Sequence, residues 1–261
     1  MDDPTVLRTA RSVLSVPGDR PERFAKASAS GADLLMLDLE DSVRPAAKAA
    51  VRENVVRWLA EGGTGMVRIN AYGTEWYADD VAALADQPRW VLLPKVAGRA
   101  ELEALASVLA AGSRLVALIE TAAGVLDAAD TCRATGLERV MARSVVVAAS
   151  AAAGLAPPID GPTVALHDDD VLRADLEAVA ALGFTGKLCL HPRQLRLADE
   201  VLTPTAQIVT WAEKVLGAVG VGGVELLDGA VIAPPAVVRA RLILERAAFA
   251  AARQVIGVQG R

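Results

Sequence analysis

The sequence predicts a (β/α)8, or TIM, barrel with a C-terminal helical extension, and three observations predict it. Short β-rich runs alternate with longer Ala- and Leu-rich stretches whose apolar residues recur at helical spacing. Parallel neighbours need crossover helices, so repeated strand–helix alternation implies a parallel sheet. The chain has 261 residues, 53% of them hydrophobic, enough for one large domain with a well-buried core. Aromatics make up only 3%, so Ala, Val and Leu must fill that core, as suits buried parallel strands.

Strands are expected over Ser12–Val16, Leu34–Asp38, Met66–Asn70, Trp90–Lys95, Leu115–Glu120, Thr163–Leu166 and Lys187–His191. Helices are expected over Pro21–Ser30, Lys48–Ala60, Asp79–Asp86, Ala100–Ala111 and Asp169–Leu182. Seven clear strands fit a closed barrel with one weak member better than a half-size open sheet. No linker divides the chain before about Thr203, which gives a barrel domain over 1–203 and an extension over 204–261. The extension reads as a helix around Ile208–Val219, a glycine-rich turn through Gly220–Gly223 and a final helix from about Pro235. Such an appendage suits a lid or an oligomer contact.

Several classes are excluded. The net charge is −5, and no run of Lys or Arg could track phosphates, so nucleic acid is not an expected partner. Scarce aromatics argue against a stacking surface for single strands. No uninterrupted apolar stretch approaches the ~20 residues needed to cross a bilayer. Arg8 and Arg11 interrupt the start, which does not resemble a signal peptide. A cytoplasmic protein with no membrane association is expected. Cys132 and Cys189 form no CxxC pair and read as reduced core residues. Gly220, Gly222 and Gly223 match neither GxGxxG nor GxxxxGK[ST], so no phosphate loop is present.

The strand ends carry the functional signal. The first run ends in Pro17-Gly18-Asp19-Arg20 and the second in Asp38-Leu39-Glu40-Asp41. The third carries Arg68 and Asn70, the fourth Lys95, the fifth Glu120 and the seventh His191. Parallel strands point one way, so these ends converge on the rim where such barrels hold their active sites. Arg68 is the candidate for binding a substrate carboxylate, because its planar fork makes paired charge-assisted hydrogen bonds. A salt bridge from Arg68 to Glu40 or Asp41 is the structural alternative. Glu120 is the candidate metal ligand, since Mg²⁺ prefers oxygen and needs only one or two protein carboxylates. Lys95 and Arg20 are either contacts for acidic parts of a substrate or solvated rim charges. His191 reads as a hydrogen-bonded structural histidine and His167 as a surface residue beside Asp168–Asp170.

The segments VLSVPGDRPERF, LLMLDLEDSV, VRINAYGTEW, VLLPKV, LVALIETAAGV, IDGPTV and GFTGKLCLHPRQL follow one another as in a known family. In that order they resemble the citrate lyase β-subunit-like group of the HpcH/HpaI aldolase superfamily, which includes malyl-CoA and citramalyl-CoA lyases. The resemblance runs from about Arg11 to Pro204 and more loosely to the end. It implies a Mg²⁺-dependent lyase that cleaves a 3-hydroxyacyl-CoA to an acyl-CoA and a 2-oxo acid. It places Mg²⁺ on Glu120 and gives Arg68, Glu40 and Asp41 catalytic roles, with Glu40 and Asp41 near enough to hold metal waters. Arg68, Arg20 and Lys95 become substrate-binding residues for a 2-oxo acid and a coenzyme A thioester. A homo-oligomer, a trimer, is implied by the tail, which in the family reaches a neighbouring subunit.

Two departures from the family pattern stand out. Where the family has a sixth strand ending in a phenylalanine–glycine segment with a metal-binding aspartate, Leu137-Glu138-Arg139-Val140-Met141 runs straight into Ala142-Arg143-Ser144. In the tail, Ala233 of Gly229-Ala230-Val231-Ile232-Ala233-Pro234-Pro235 occupies the place of the family's acid/base aspartate, and alanine transfers no proton. These keep a second reading open, a barrel of impaired catalysis serving as a binding or regulatory subunit. A third, a class II 2-oxo acid aldolase without coenzyme A, is disfavoured because no histidine precedes His167.

Overall fold

A computed structural model of the chain describes residues 4–135, 137–141, 146–218, 226–227, 230–231 and 234–259. It divides into two compact units, Met1–Val201 and Leu202–Arg261.

The first unit opens with helix α1 (Pro4–Thr9) and strand β1 (Ser12–Pro17). There follow α2 (Phe24–Ser28), β2 (Leu34–Asp38), α3 (Lys48–Ala60), β3 (Met66–Arg68), α4 (Tyr77–Leu84), β4 (Trp90–Leu93), α5 (Arg99–Val108) and β5 (Arg114–Leu118). Short helices α6 (Ala122–Leu126) and α7 (Ala128–Thr131) lead to β6 (Leu137–Met141), α8 (Val146–Ala152) and β7 (Ile159–Asp160). The unit closes with α9 (Asp169–Leu182), β8 (Gly186–Cys189) and α10 (Arg193–Leu202). All neighbouring strands pair in parallel, in sequence order, with β8 pairing back to β1.

Side chains two apart share a face of a strand. Leu34 and Met36, Trp90 and Leu92, and Val116 and Leu118 therefore point together into one buried cluster. Leu7 and Ala10 at the α1 end join it, so the amino-terminal helix packs on this interior. The alternate residues Leu35, Leu37, Val91, Leu93 and Ala117 are equally buried, as both faces of a helix-covered parallel sheet should be.

The regular (β/α)8 barrel expected from the sequence needs correction. Seven parallel strands of three or more residues, β1 to β6 and β8, carry the sheet. The expected strand Thr163–Leu166 does not form. In its place β7 has two residues, joined to β6 by the single pair Met141↔Ile159 and to β8 by two pairs. Prolines explain it: Pro157 and Pro158 precede Ile159, and Gly161-Pro162 follows Asp160. Proline offers no N–H to a ladder and fixes φ, so pairing is confined to the two residues between. Leu137–Met141, which is not among the seven expected strands, forms the five-residue β6.

The second unit consists of α11 (Ala206–Ala218), the two-residue strands β9 (Leu226–Leu227) and β10 (Ala230–Val231), and α12 (Pro234–Gln259). Ala212 and Val215 of α11 bury against Ala240 and Ile243 of α12, and Arg239 lies over the Trp211 ring at 5.3 Å. Among the described residues no helix is long and apolar enough to cross a membrane.

Candidate active site

The strand ends do converge, and the first group to meet is one the sequence reading passed over. Asp38 ends β2, a strand buried along its whole length. Its register partner on β3 is Arg68, so the guanidinium lies beside the carboxylate. Arg68 Nε donates to Asp38 Oδ1 at 2.7 Å and Nη2 to Oδ2 at 2.6 Å. Burial alone would raise the Asp38 pKa. The Arg68 bonds and charge, helped by Ser42, outweigh it and hold Asp38 below the ordinary carboxylate value. The fork expected to grip substrate, or else Glu40 or Asp41, is thus engaged by Asp38. What remains is Nη1, 3.3 Å from Glu40 Oε2 and 3.8 Å from Asp41 Oδ2. An aspartate closing an otherwise apolar buried strand was the available signal.

The loop after β2 is fixed from behind. Lys48, the first residue of α3, is 6% exposed and donates to Leu39 O at 2.7 Å, Glu40 O at 2.8 Å and Asn70 Oδ1 at 2.6 Å. Asn70 in turn donates to Asp80 Oδ2 at 2.6 Å. Burial lowers the Lys48 pKa. Lys48 also escaped the sequence reading, although it sits three residues before Val51 on the stripe Val51, Val55, Leu59 that α3 buries. In front, Gly18 donates to Asp38 O at 2.9 Å. A Cβ there would approach that oxygen to 2.8 Å, so only glycine lets the β1 loop close over β2.

Lys95 joins three acids. Its Nζ donates to Glu40 Oε1 at 2.6 Å and Asp41 Oδ1 at 3.1 Å, and its backbone N–H to Glu120 Oε1 at 3.2 Å. The Glu40 bond raises the Lys95 pKa. Lys95 has φ 54°, a left-handed conformation that a non-glycine residue adopts at some cost and that tends to mark functional sites. The first turn of α6 holds this bend in place. Thr121 caps it by accepting from Gly124 N–H at 3.1 Å, and a Cβ on Gly124 would collide with Val96 O. Lys95 is therefore not a free rim cation. Arg20 stays apart, with Nε 3.7 Å from Asp19 and outside the pocket lining.

A pocket of about 610 Å³ opens on this rim, lined by Asp41, Arg68 and Glu120 over apolar Met36, Leu118 and Leu188. A cavity of about 590 Å³ beside Arg89, Trp90 and Arg114 lies at the opposite strand ends and contains none of the rim acids. At the rim, Asp38, Glu40, Asp41 and Glu120 face Arg68 and Lys95. With all six ionised, four negative charges meet two positive ones, and Lys48 behind the loop, within reach of Asp38, Glu40 and Asp41, narrows the surplus without closing it. Glu40 is pushed above its ordinary pKa, chiefly by burial and then by Asp41, against the pull of Lys95 and Arg68. Glu120 is raised as well, by burial first and by Glu40 next.

This surplus bears on whether Mg²⁺ fits. Among the described residues no three His, Cys, Asp or Glu side chains are grouped to hold a metal by themselves. Mg²⁺ does not require such a cage, because it keeps waters and takes substrate oxygens beside one or two carboxylates. Glu40 Oε2 is buried and meets only an ion contact, Arg68 Nη1 at 3.3 Å, without a formed hydrogen bond, and two acids are raised partly by mutual repulsion. A divalent cation on Glu120, with its waters held by Glu40 and Asp41, matches both features. The segment after Met141, where the resembled family's second ligand would stand, falls outside the described residues at 142–145. No aspartate occurs in the sequence between Glu138 and Asp160. Ala233 likewise lies outside the described residues.

His191 and His167 do not enter this pocket. Cys132 and Cys189 are buried and unbridged, with the Cys189 pKa pushed up by burial to about 12.

Comparisons with known proteins agree in direction. The family model for HpcH/HpaI aldolase/citrate lyase matches residues 11–141. A (3S)-malyl-CoA thioesterase of Cereibacter sphaeroides is 32% identical, over 93% of this chain and 96% of its own. An L-malyl-CoA/beta-methylmalyl-CoA lyase of the same organism is also 32% identical, over 81% of this chain and 84% of its own. Among solved structures, CitE of Mycobacterium tuberculosis in complex with magnesium, acetoacetate and coenzyme A superposes with TM-score 0.71 at 30% identity. It covers 92% of this chain and 99% of that one.

Proposed function

The chain belongs to the HpcH/HpaI aldolase/citrate lyase family, and on that premise we propose that it is a Mg²⁺-dependent carbon–carbon lyase. Its substrate is a 3-hydroxyacyl-CoA of the malyl or citramalyl type, cleaved to an acyl-CoA and a 2-oxo acid. The observation that carries the reading is the rim itself: Glu40, Asp41 and Glu120 gathered about Arg68 and Lys95 at a pocket mouth, with both glutamates raised by burial and repulsion.

When bound, Mg²⁺ polarises the substrate oxygen on which charge develops as the bond breaks. Glu120 would hold it, with Glu40 and Asp41 on its waters. Asp38 locks Arg68 by two bonds and leaves only Nη1, loosely paired with Glu40 and Asp41, to bind and orient the oxo acid carboxylate at the pocket. Glu40, whose pKa is raised chiefly by burial, is the rim carboxylate placed to hold a proton beside the substrate. Lys95 keeps Glu40, Asp41 and Glu120 in register. Arg20 remains a candidate contact for the acidic part of the coenzyme. The protein works in the cytoplasm as a homotrimer, the 204–261 extension supplying the contact between subunits. Light scattering checks that assembly, and a monomer at working concentration would remove it.

Ala233 favours a second reading, a family member of impaired catalysis that binds its ligands. One assay separates the readings. Malyl-CoA incubated with protein and Mg²⁺ should yield acetyl-CoA and glyoxylate, whereas a thioesterase would yield malate and free thiol. Ala233→Asp should raise lyase turnover, since an acid/base group typically contributes ~10²- to 10⁴-fold. Neither product from either protein, with Mg²⁺ bound, would establish the binding role. Arg68→Lys should weaken pyruvate or oxaloacetate binding about tenfold, because lysine cannot both hold Asp38 by two bonds and face the pocket. Equal affinity by calorimetry would contradict the Arg68 role.

A further inference from the structure

The chain contains two histidines, on different loops, and the fold brings their rings to 6.4 Å between centroids. Arg193, at the start of α10, links them. Its Nη1 lies 2.8 Å from His167 Nδ1, and its backbone N–H donates to His191 Nδ1 at 3.2 Å. Guanidinium and amide nitrogens can only donate, so both Nδ1 atoms accept. In each neutral ring the proton is then on Nε2. Two Nε2–H groups and the remaining guanidinium donors of Arg193 thus meet no acceptor among the described residues.

The arrangement is built rather than incidental. Gln194, 2% exposed, accepts from Leu190 N–H at 2.8 Å and His191 N–H at 3.3 Å, and donates to Thr163 O at 2.9 Å. It thereby ties the loop after β8 to the loop that carries His167. Asp168 caps α9 by accepting from Asp170 and Val171 N–H, and Asp169 lies 4.0 Å from Arg196. Arg173 and Arg196 both pair with Glu200, whereas Arg193 meets no carboxylate among the described residues. Gly161, Pro162 and Leu190 line the rim pocket, so the donor cluster begins one residue beyond its wall.

We propose that His167, His191 and Arg193 form a phosphate-binding cradle that receives a phosphate group of the coenzyme A moiety. The assignment of the ligand rests on the acyl-CoA reading above. A flexible pantetheine arm separates thioester from phosphates, so a donor cluster outside the pocket meets the charged end while the acyl group enters. Fixed neutral donors beside one arginine suit a tetrahedral oxyanion better than a planar carboxylate, which a single fork would satisfy.

Histidine-ring nitrogen NMR at about pH 8, where imidazoles are neutral, reads the cradle directly. With two histidines the spectrum holds two ring systems, assigned by His167→Gln. Both rings are expected as Nε2–H tautomers, and inorganic phosphate and coenzyme A should move both. Arg193→Gln should abolish those shifts and weaken coenzyme A binding roughly tenfold or more, as loss of a charge-assisted hydrogen bond does. Dephospho-coenzyme A that still moves both rings assigns the cradle to the diphosphate; loss of the response assigns it to the 3′-phosphate. Either supports the proposal. Nδ1–H tautomers would overturn it, as would coenzyme A binding by calorimetry that leaves both rings unmoved, with the acyl-CoA reading then intact. If phosphate moves the rings but coenzyme A does not bind, the acyl-CoA reading fails and this ligand assignment with it.

Discussion

Two buried charge clusters of the first unit are built from the same residue types and end differently. Between β7, β8 and α9, Lys187 bonds to Asp160 and, at 2.6 Å, to Asp175, which also accepts from the Thr163 hydroxyl. The Lys187 and Asp160 side chains are both fully buried. At the rim, Arg68 and Lys95 face four carboxylates, Glu40 Oε2 has only a loose contact to Arg68, and two glutamates are raised. A fold can dispense with such crowded like charge, so its presence points to something that binds there. The Lys187 cluster gives the opposite lesson: charge in the core, enclosed at Lys187 and Asp160, is architecture at the one place where the sheet is weakest.

The comparison breaks most visibly at Lys187. Lys187→Met fills similar space but leaves Asp160 fully buried, and Asp175 partly so, without that cation. Breaking a buried pair this way typically costs ~3–5 kcal/mol, and β7 has only three residue pairs to hold it. Urea melts should show that loss. A loss below about 1 kcal/mol would mean the cluster is not what secures β7.

At the rim the expected effect is smaller and depends on the ligand. Mg²⁺ at a hundred times its dissociation constant should stabilise the protein by ~2.7 kcal/mol. Glu120→Gln should abolish that gain while changing metal-free stability little, because the side chain is solvent-exposed despite its crowded base and the amide oxygen can still accept from Lys95 N–H. Thermal melts with and without Mg²⁺ measure both. An unchanged Mg²⁺ gain in the variant would take Glu120 out of the metal site.

How much of this was legible in the sequence follows from the kind of signal each feature leaves. Strands such as Leu34–Asp38 and the helix Lys48–Ala60 were readable because apolar periodicity records burial directly. The strand at Thr163–Leu166 was misread because its alternation is real, while the prolines and glycine around Ile159-Asp160 that confine pairing were weighed too lightly. The rim acids were legible as types at strand ends. Their partners were not, since the engagement of Arg68 by Asp38 depends on register between β2 and β3, a relation across 30 residues. The meeting of His167 and His191 is of the same kind. Each looked ordinary alone, and only the β7–β8 adjacency joins them.

The subtlest consequence of the rim's surplus charge is a pH dependence. Glu40 and Glu120 have folded pKa values raised above the unfolded ones. Across the interval between those values the native state therefore holds more protons than the unfolded chain. Their contribution is present below the ordinary glutamate value of about 4.3 and is lost as pH rises through the raised values. Asp38 acts in the other sense: its lowered pKa gives stability above its unfolded value that is lost as pH falls through the lowered one. Metal-free protein should thus weaken at both ends: on the alkaline side of the glutamate window and on the acid side of the Asp38 one. Mg²⁺ competes with those same protons, so its stabilisation should grow with pH just where the metal-free protein weakens. Melts between pH 4 and pH 8 would show the two curves diverging. Glu40→Gln should flatten the metal-free decline, because the amide no longer ionises. Metal-free stability that climbs steadily through the window, or a Mg²⁺ gain independent of pH, would show the rim to be as well satisfied as the Lys187 cluster.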